Sequence, residues 1–90
     1  MVFEQEIIIK NKLGLHARPA ALFVQIANKF DCDISVRKGR QKVNGKSIMG
    51  IMMLAAGRGE KIHIKTSGDD AQRAMAELEQ LLSGDLDKKE

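Results

Sequence analysis

The sequence predicts an α+β fold, a two-layer sandwich in which one four-stranded, antiparallel-rich sheet is covered on one face by three helices, in the order β-α-β-β-α-β-α. Three observations carry that prediction. Residues 60–66 alternate apolar and polar side chains at the two-residue period of a strand. Residues 71–82 place Ala71, Ala74, Met75, Leu78, Leu81 and Leu82 on a stripe of 3.6-residue period. Two further β-branched segments flank glycine-containing turns, with no repeat, low-complexity stretch or linker between them, so residues 1–90 read as a single domain.

Each element follows from local pattern. Residues 4–10 contain Ile7, Ile8 and Ile9, a β-branched run that favours a strand, stopped by Asn11, Lys12 and Gly14. From Ala17 to about residue 29, Ala20, Phe23, Val24, Ala27 and Phe30 recur at helical spacing, and Pro19 sits where a first turn tolerates it. Ile34 and Val36 alternate with Ser35 and Arg37, and Lys38-Gly39-Arg40 turns the chain back into residues 41–44 as a hairpin. Ser47 is a good N-cap for a short helix over residues 48–54, with Gly45 before it and Gly57 after. In the last strand Ile62, Ile64 and Thr66 face inward, while Lys61, His63 and Lys65 face solvent. Ser83 and Gly84 end the final helix, and the mixed-charge tail from about residue 84 is expected to fray.

Composition narrows the function classes. Ninety residues with 43% apolar content make one compact core, which favours a carrier, binding or regulatory module over a metabolic enzyme with a large enclosed cavity. No apolar run approaches the ~20 residues needed to cross a bilayer, and the start of the chain lacks a signal-peptide pattern, so a cytoplasmic protein is expected. Cys32 is the only cysteine and reads as a packing residue. Fifteen Lys and Arg against twelve Asp and Glu give a net charge of +3. Arg37, Lys38, Arg40, Lys42 and Lys46 crowd into one positive surface suited to acidic partners.

The segment Leu13-Gly14-Leu15-His16-Ala17-Arg18-Pro19-Ala20 carries the chemistry. It sets a histidine at the entry to the first helix, where opening N–H groups lack intrahelical acceptors and the macrodipole adds about half a positive charge. An anion is favoured there and a cation is not, which suits a neutral, nucleophilic imidazole. A phosphoryl group on His16 would meet the backbone N–H donors of Ala17 and Arg18, and the Arg18 guanidinium would reach its oxygens. Capping alone is the competing reading of His16, but it gives Arg18 nothing to do. No acidic or thiol group stands near either histidine at ligand spacing, so no metal is expected, and no cofactor.

Residues 14–20, followed by Asn44-Gly45-Lys46-Ser47-Ile48-Met49-Gly50, resemble the HPr family of phosphocarriers of the bacterial phosphotransferase system, over nearly the whole chain. The resemblance implies an open-faced β-sandwich. It also implies that His16 takes phosphate at Nδ1 from phosphorylated enzyme I, itself charged by phosphoenolpyruvate, and passes it to an enzyme IIA domain. Arg18 would assist transfer. Ile48, Met49 and Met52 would form the docking surface around the histidine, leaving Ile51 and Leu54 as the core candidates of that helix. Ser47 matches a serine that, in part of the family, a dedicated kinase (HPr kinase/phosphorylase) phosphorylates, lowering histidine phosphorylation and creating a corepressor for a transcriptional regulator. The carrier is expected to act as a monomer.

One alternative, a nitrogen-branch regulatory phosphocarrier, stays open at this level, and an RNA-binding module is discounted. Asn11-Lys12-Leu13-Gly14 and residues 54–59 are similar to the nitrogen-related branch, while residues 47–50 are similar to the sugar branch. An RNA-binding domain shares the β-α-β-β-α-β order, but it needs aromatic platforms on its sheet, and Phe3, Phe23 and Phe30 are the only aromatic residues.

Overall fold

A computed structural model describes residues 1–84; the fraying expected of the tail lies outside the described residues. The order of elements is that expected: β1 (Val2–Ile8), α1 (Ala17–Ala27), β2 (Asp33–Lys38), β3 (Gln41–Asn44), α2 (Ile48–Met53), β4 (Lys61–Ser67) and α3 (Ala71–Ser83). The strands form one antiparallel sheet in the order β1-β4-β2-β3. The last strand in the chain therefore lies between the first and the second.

Register decides which side of each strand is buried. Phe3, Gln5 and Ile7 lie opposite Thr66, Ile64 and Ile62, and Ile34 and Val36 pair with Thr66 and Ile64. These residues share the helix-covered face, where Ile34, Val36, Ile62, Ile64 and Thr66 are buried. The other face is open and carries Glu4, Glu6, Lys61, His63, Lys65 and Arg37. Phe23, Ala20 and Ala27 of α1, Ile51 and Leu54 of α2, and Ala74 and Leu78 of α3 close the core, all within 1% of full burial. Phe23 and Phe30 belong to that core and Phe3 packs against it, so none of the three is a base-stacking platform on the open face.

Element ends differ from the sequence reading where long-range partners intervene. β1 runs over Val2–Ile8 and not residues 4–10, because β4 sets its span from Val2 opposite Ser67 to Ile8 opposite Lys61. Ile9 leaves the ladder, exchanges backbone bonds with Glu60 and Gly59, and is buried at 2% exposure, while Ile8 stays on the open side. α1 stops at Ala27 because the Asn28 side chain turns back to donate to the Val24 carbonyl at 3.0 Å. Gly39, at φ +59°, supplies the positive φ that a two-residue hairpin loop requires.

Asp70 precedes α3 yet does not cap it. Its carboxylate instead accepts the N–H groups of Asp31 and Cys32, each at 2.9 Å, tying the entry of α3 to the entry of β2. The Asp31 N–H chiefly holds the Asp70 carboxyl below its ordinary value of 3.8. Burial, followed by the hydrogen bond with Asp70, pushes the Cys32 thiol up to about 11. Cys32 is thus an unreactive packing residue at neutral pH.

A carboxyl lowered by folding stabilises above its ordinary pKa and loses that effect as pH falls through the lowered value. Asp70→Ala should therefore lower Tm at pH 7, and the gap from the wild type should be smaller in a melt taken below the ordinary carboxyl value of 3.8. An equal gap at both pH values would show that the lost contribution is not ionic.

Candidate functional site

His16 stands at the N-cap position of α1 with extended backbone (φ −85°, ψ −168°), and its side chain makes no capping hydrogen bond. The ring is half-buried, and Ala17 and Arg18 beside it are exposed. The backbone carbonyl of His16 accepts the Ala20 N–H at 3.0 Å, so the helix proper starts at the next residue. Pro19 is buried in the first turn, where its missing donor costs nothing.

The turn before His16 is built against the end of α2. Leu15 donates its N–H to the Ala56 carbonyl at 2.9 Å, and Leu15 is buried. Gly14 has φ +70°, and a Cβ there would overlap the Ala56 carbonyl oxygen and lie 2.8 Å from Gly57 Cα. Glycine is required here on both grounds. The end of α2 is itself fixed. Gln41 Nε2 donates to the Met53 carbonyl at 3.2 Å and Lys38 Nζ to the Ala55 carbonyl at 3.3 Å, satisfying acceptors that a helix end leaves open. Ala55 adopts φ +48° just after the helix, a place where glycine is usual.

Ser47 caps α2 as its residue type suggests: its Oγ accepts the Gly50 N–H at 3.0 Å. Of the helix it starts, Ile51 and Leu54 are buried, whereas Ile48 (41%), Met49 (68%), Met52 (43%) and Met53 (63%) are exposed. Six residues cannot hide so many apolar side chains on one face, and Gly50 lies on the packed side, where a Cβ would sit 3.2 Å from Val43 Cβ. The His16 turn is therefore joined to the segment that follows α2 through Leu15 and Ala56.

Several features were not visible in the pattern of residues. Met53 and Leu13, the latter 74% exposed, join the exposed apolar set, and Asn11 is buried. The basic cluster is not uniformly free: Lys46 Nζ donates to the Phe30 carbonyl at 2.6 Å and Lys38 lies 3.4 Å from Glu60, while Arg37, Arg40 and Lys42 are exposed. His63 does not simply face solvent. It is half-buried with Nε2 2.6 Å from Glu4 Oε1, a hydrogen bond that lowers the Glu4 carboxyl and ties His63 to β1 across the open face. Among the described residues, no group of three or more His, Cys, Asp or Glu could hold a metal ion. No helix of the described chain is long and apolar enough to cross a membrane.

An open-faced α+β module with an uncommitted histidine at a helix entry is the architecture of a small phosphocarrier. Comparison with known proteins agrees: residues 3–84 match the family model described as the PTS HPr component phosphorylation site. The chain is 48% identical over 87 residues to the phosphocarrier protein HPr of Pseudomonas putida, covering 96% of this chain and 97% of that one. The structure of HPr-C-His from Thermoanaerobacter tengcongensis superposes with a TM-score of 0.91 at 48% identity, covering 98% of this chain and 99% of the other. Crh, the catabolite-repression protein of Bacillus subtilis, described as a dimer with a swapped domain, matches with a TM-score of 0.73 at 44% identity, over 88% and 91% of the two chains. The chain belongs to the HPr family of bacterial phosphotransferase-system phosphocarriers.

Gly14→Ala should lower stability by at least ~1–2 kcal/mol from its left-handed φ alone. Gly59, at φ +87° with open space around it, pays the same backbone cost without a clash. Thermal melts should therefore show a larger drop for Gly14→Ala than for Gly59→Ala; equal drops would mean that the Ala56 contact gives way freely.

Proposed function

We propose that this protein is a cytoplasmic phosphocarrier in which His16 accepts a phosphoryl group from phosphorylated enzyme I and passes it to an enzyme IIA domain. The observation that carries the reading is the N-cap position of His16 with a ring that does no capping. The Nδ1 lone pair attacks the donor's phosphorus, and the bond from phosphorus to the donor breaks with its electron pair returning to the donor. The phosphoryl oxygens then sit at the α1 N-terminus, where the N–H groups of Ala17 and Arg18 and the Arg18 guanidinium favour negative charge. The partners supply the remaining catalytic groups. Ile48, Met49, Met52 and Met53 form the docking surface, since flexible thioethers fit more than one partner. Arg37, Arg40 and Lys42 attract acidic partners at longer range. Every group that this protein contributes to the step belongs to one chain, so one copy is sufficient; a swapped dimer such as that described for Crh is a separate state.

A regulatory role for Ser47 is a second reading, favoured by the similarity to a catabolite-repression protein. A phosphate there adds about −1.5 to −2 charges beside the docking surface. Phosphoserine would hinder an acidic partner more than it disturbs the fold, because the group enters at a helix start.

Incubation with enzyme I and phosphoenolpyruvate should give one acid-labile phosphate, absent from His16→Ala and retained in His63→Ala. Normal labelling of His16→Ala would sink the assignment. Ser47→Asp should melt close to the wild type yet accept phosphate more slowly at low salt, the difference shrinking as salt screens the charge. Quench-flow rates equal to wild type at every salt concentration would reduce Ser47 to a cap.

A further inference from the structure

We infer that Asn11 is a positioning residue for the His16 site, acting through the carbonyl of Gly14. The inference rests on the reading of His16 as the phosphoryl acceptor. Asn11 is only 6% exposed, and it shares the description of buried polar residue with Thr66 alone among the described residues. A carboxamide is costly to bury unless its polar atoms are bonded. Its Nδ2 donates to the Gly14 carbonyl, and its own backbone carbonyl accepts the Gly14 N–H at 3.2 Å. Asn11 thus grips one residue at both of its polar ends.

The same Gly14 carbonyl accepts the N–H of His16 at 3.0 Å. One oxygen therefore receives a donor from the clamp and a donor from the histidine. The other side of Gly14 is pressed against Ala56 and Gly57, and Leu15 is bonded to Ala56. With both sides held, the Gly14–Leu15 peptide has one orientation, and the His16 backbone inherits it. An apolar side chain could fill the space Asn11 occupies, but it could not fix the direction of that carbonyl.

Without the amide donor, the peptide is held from the Ala56 side alone, its carbonyl can tilt, and the imidazole loses its fixed angle to the α1 N-terminus. Transfer in line needs that angle, and a displacement of about 1 Å can cost up to 10²-fold in rate. Docking through α2 would be untouched. The loss should therefore fall on kcat and leave KM alone.

The test measures initial rates of phosphoryl acceptance from enzyme I and phosphoenolpyruvate as the concentration of the full-length chain is varied. Asn11→Ala should lower kcat about tenfold with KM within about twofold of wild type. Asn11→Asp carries the test if Asn11→Ala does not fold. Its ionised carboxylate cannot donate and repels the carbonyl, whereas the protonated acid can donate. Its kcat, taken relative to wild type at each pH, should recover as pH is lowered from about 8 to about 6, because burial raises a carboxyl pKa. Leu82→Ala, a core truncation in α3, supplies a destabilised control that should keep wild-type kinetics. A wild-type kcat in Asn11→Ala, a loss confined to KM, a flat pH ratio for Asn11→Asp, or a matching loss in Leu82→Ala overturns the inference. A wild-type chain that takes no phosphate on His16 overturns the carrier reading first and this inference with it; a normally labelled wild type beside an unaffected Asn11→Ala overturns this inference alone.

Discussion

The docking of the Gly14–Leu15 backbone onto Ala56 and Gly57 is the contact on which the site depends. It joins two segments some forty residues apart in the chain, and it works only because Gly14 has no side chain and a positive φ. Once made, it sets the start of α1 beside the end of α2. A histidine at a helix entry is thereby tied to the segment that ends a short apolar helix, although neither helix alone would bring the two together. The end of α2 is held from the other side by hydrogen bonds from Lys38 and Gln41 of the hairpin.

α2 shows how a six-residue helix serves two demands at once. Ile51 and Leu54 seal the core, Gly50 allows close approach to Val43, and the methionines are left outside. Exposing this much apolar surface on so small a protein disfavours solubility, and the docking role proposed above would give that exposure a use. The charges around it divide in the same way. Lys38 and Lys46 hold the scaffold, and Arg37, Arg40 and Lys42 are left for the surroundings.

What could be read from the sequence was whatever depends on neighbours along the chain. The alternation of residues 60–66 placed Ile62, Ile64 and Thr66 inside, the stripe of α3 gave its buried face, and Ser47 declared itself as a cap. The motif around His16 also stood out, because glycine, histidine, arginine and proline act within one turn. What escaped depends on partners far away. The start of β1 is set by β4, and three successive isoleucines give no alternation from which to place its end. Asp70 stands at the N-cap position of α3 and yet serves two amides of another segment, and His63 finds Glu4 across the sheet. Asn11 looks like a strand breaker, and only its burial and its grip on Gly14 show otherwise.

The strand order β1-β4-β2-β3 has a consequence for how the chain must fold as it is made. β1 is synthesised first, yet its ladder partner β4 begins at Lys61. At roughly 5–20 residues per second, β1 waits on the order of 3–12 s before its partner exists. During that interval it is a bare strand ending in Ile7 and Ile8, with Ile9 next in the chain, of the kind that seeks other edges. Glu4 and Glu6 lie on that strand and Lys10 directly follows the isoleucines, so charge flanks the apolar run throughout the wait. Pairing over so long a span also makes closure of the sheet the slow, entropy-limited event of folding. The first of the four strands to be synthesised is among the last parts of the sheet to be secured.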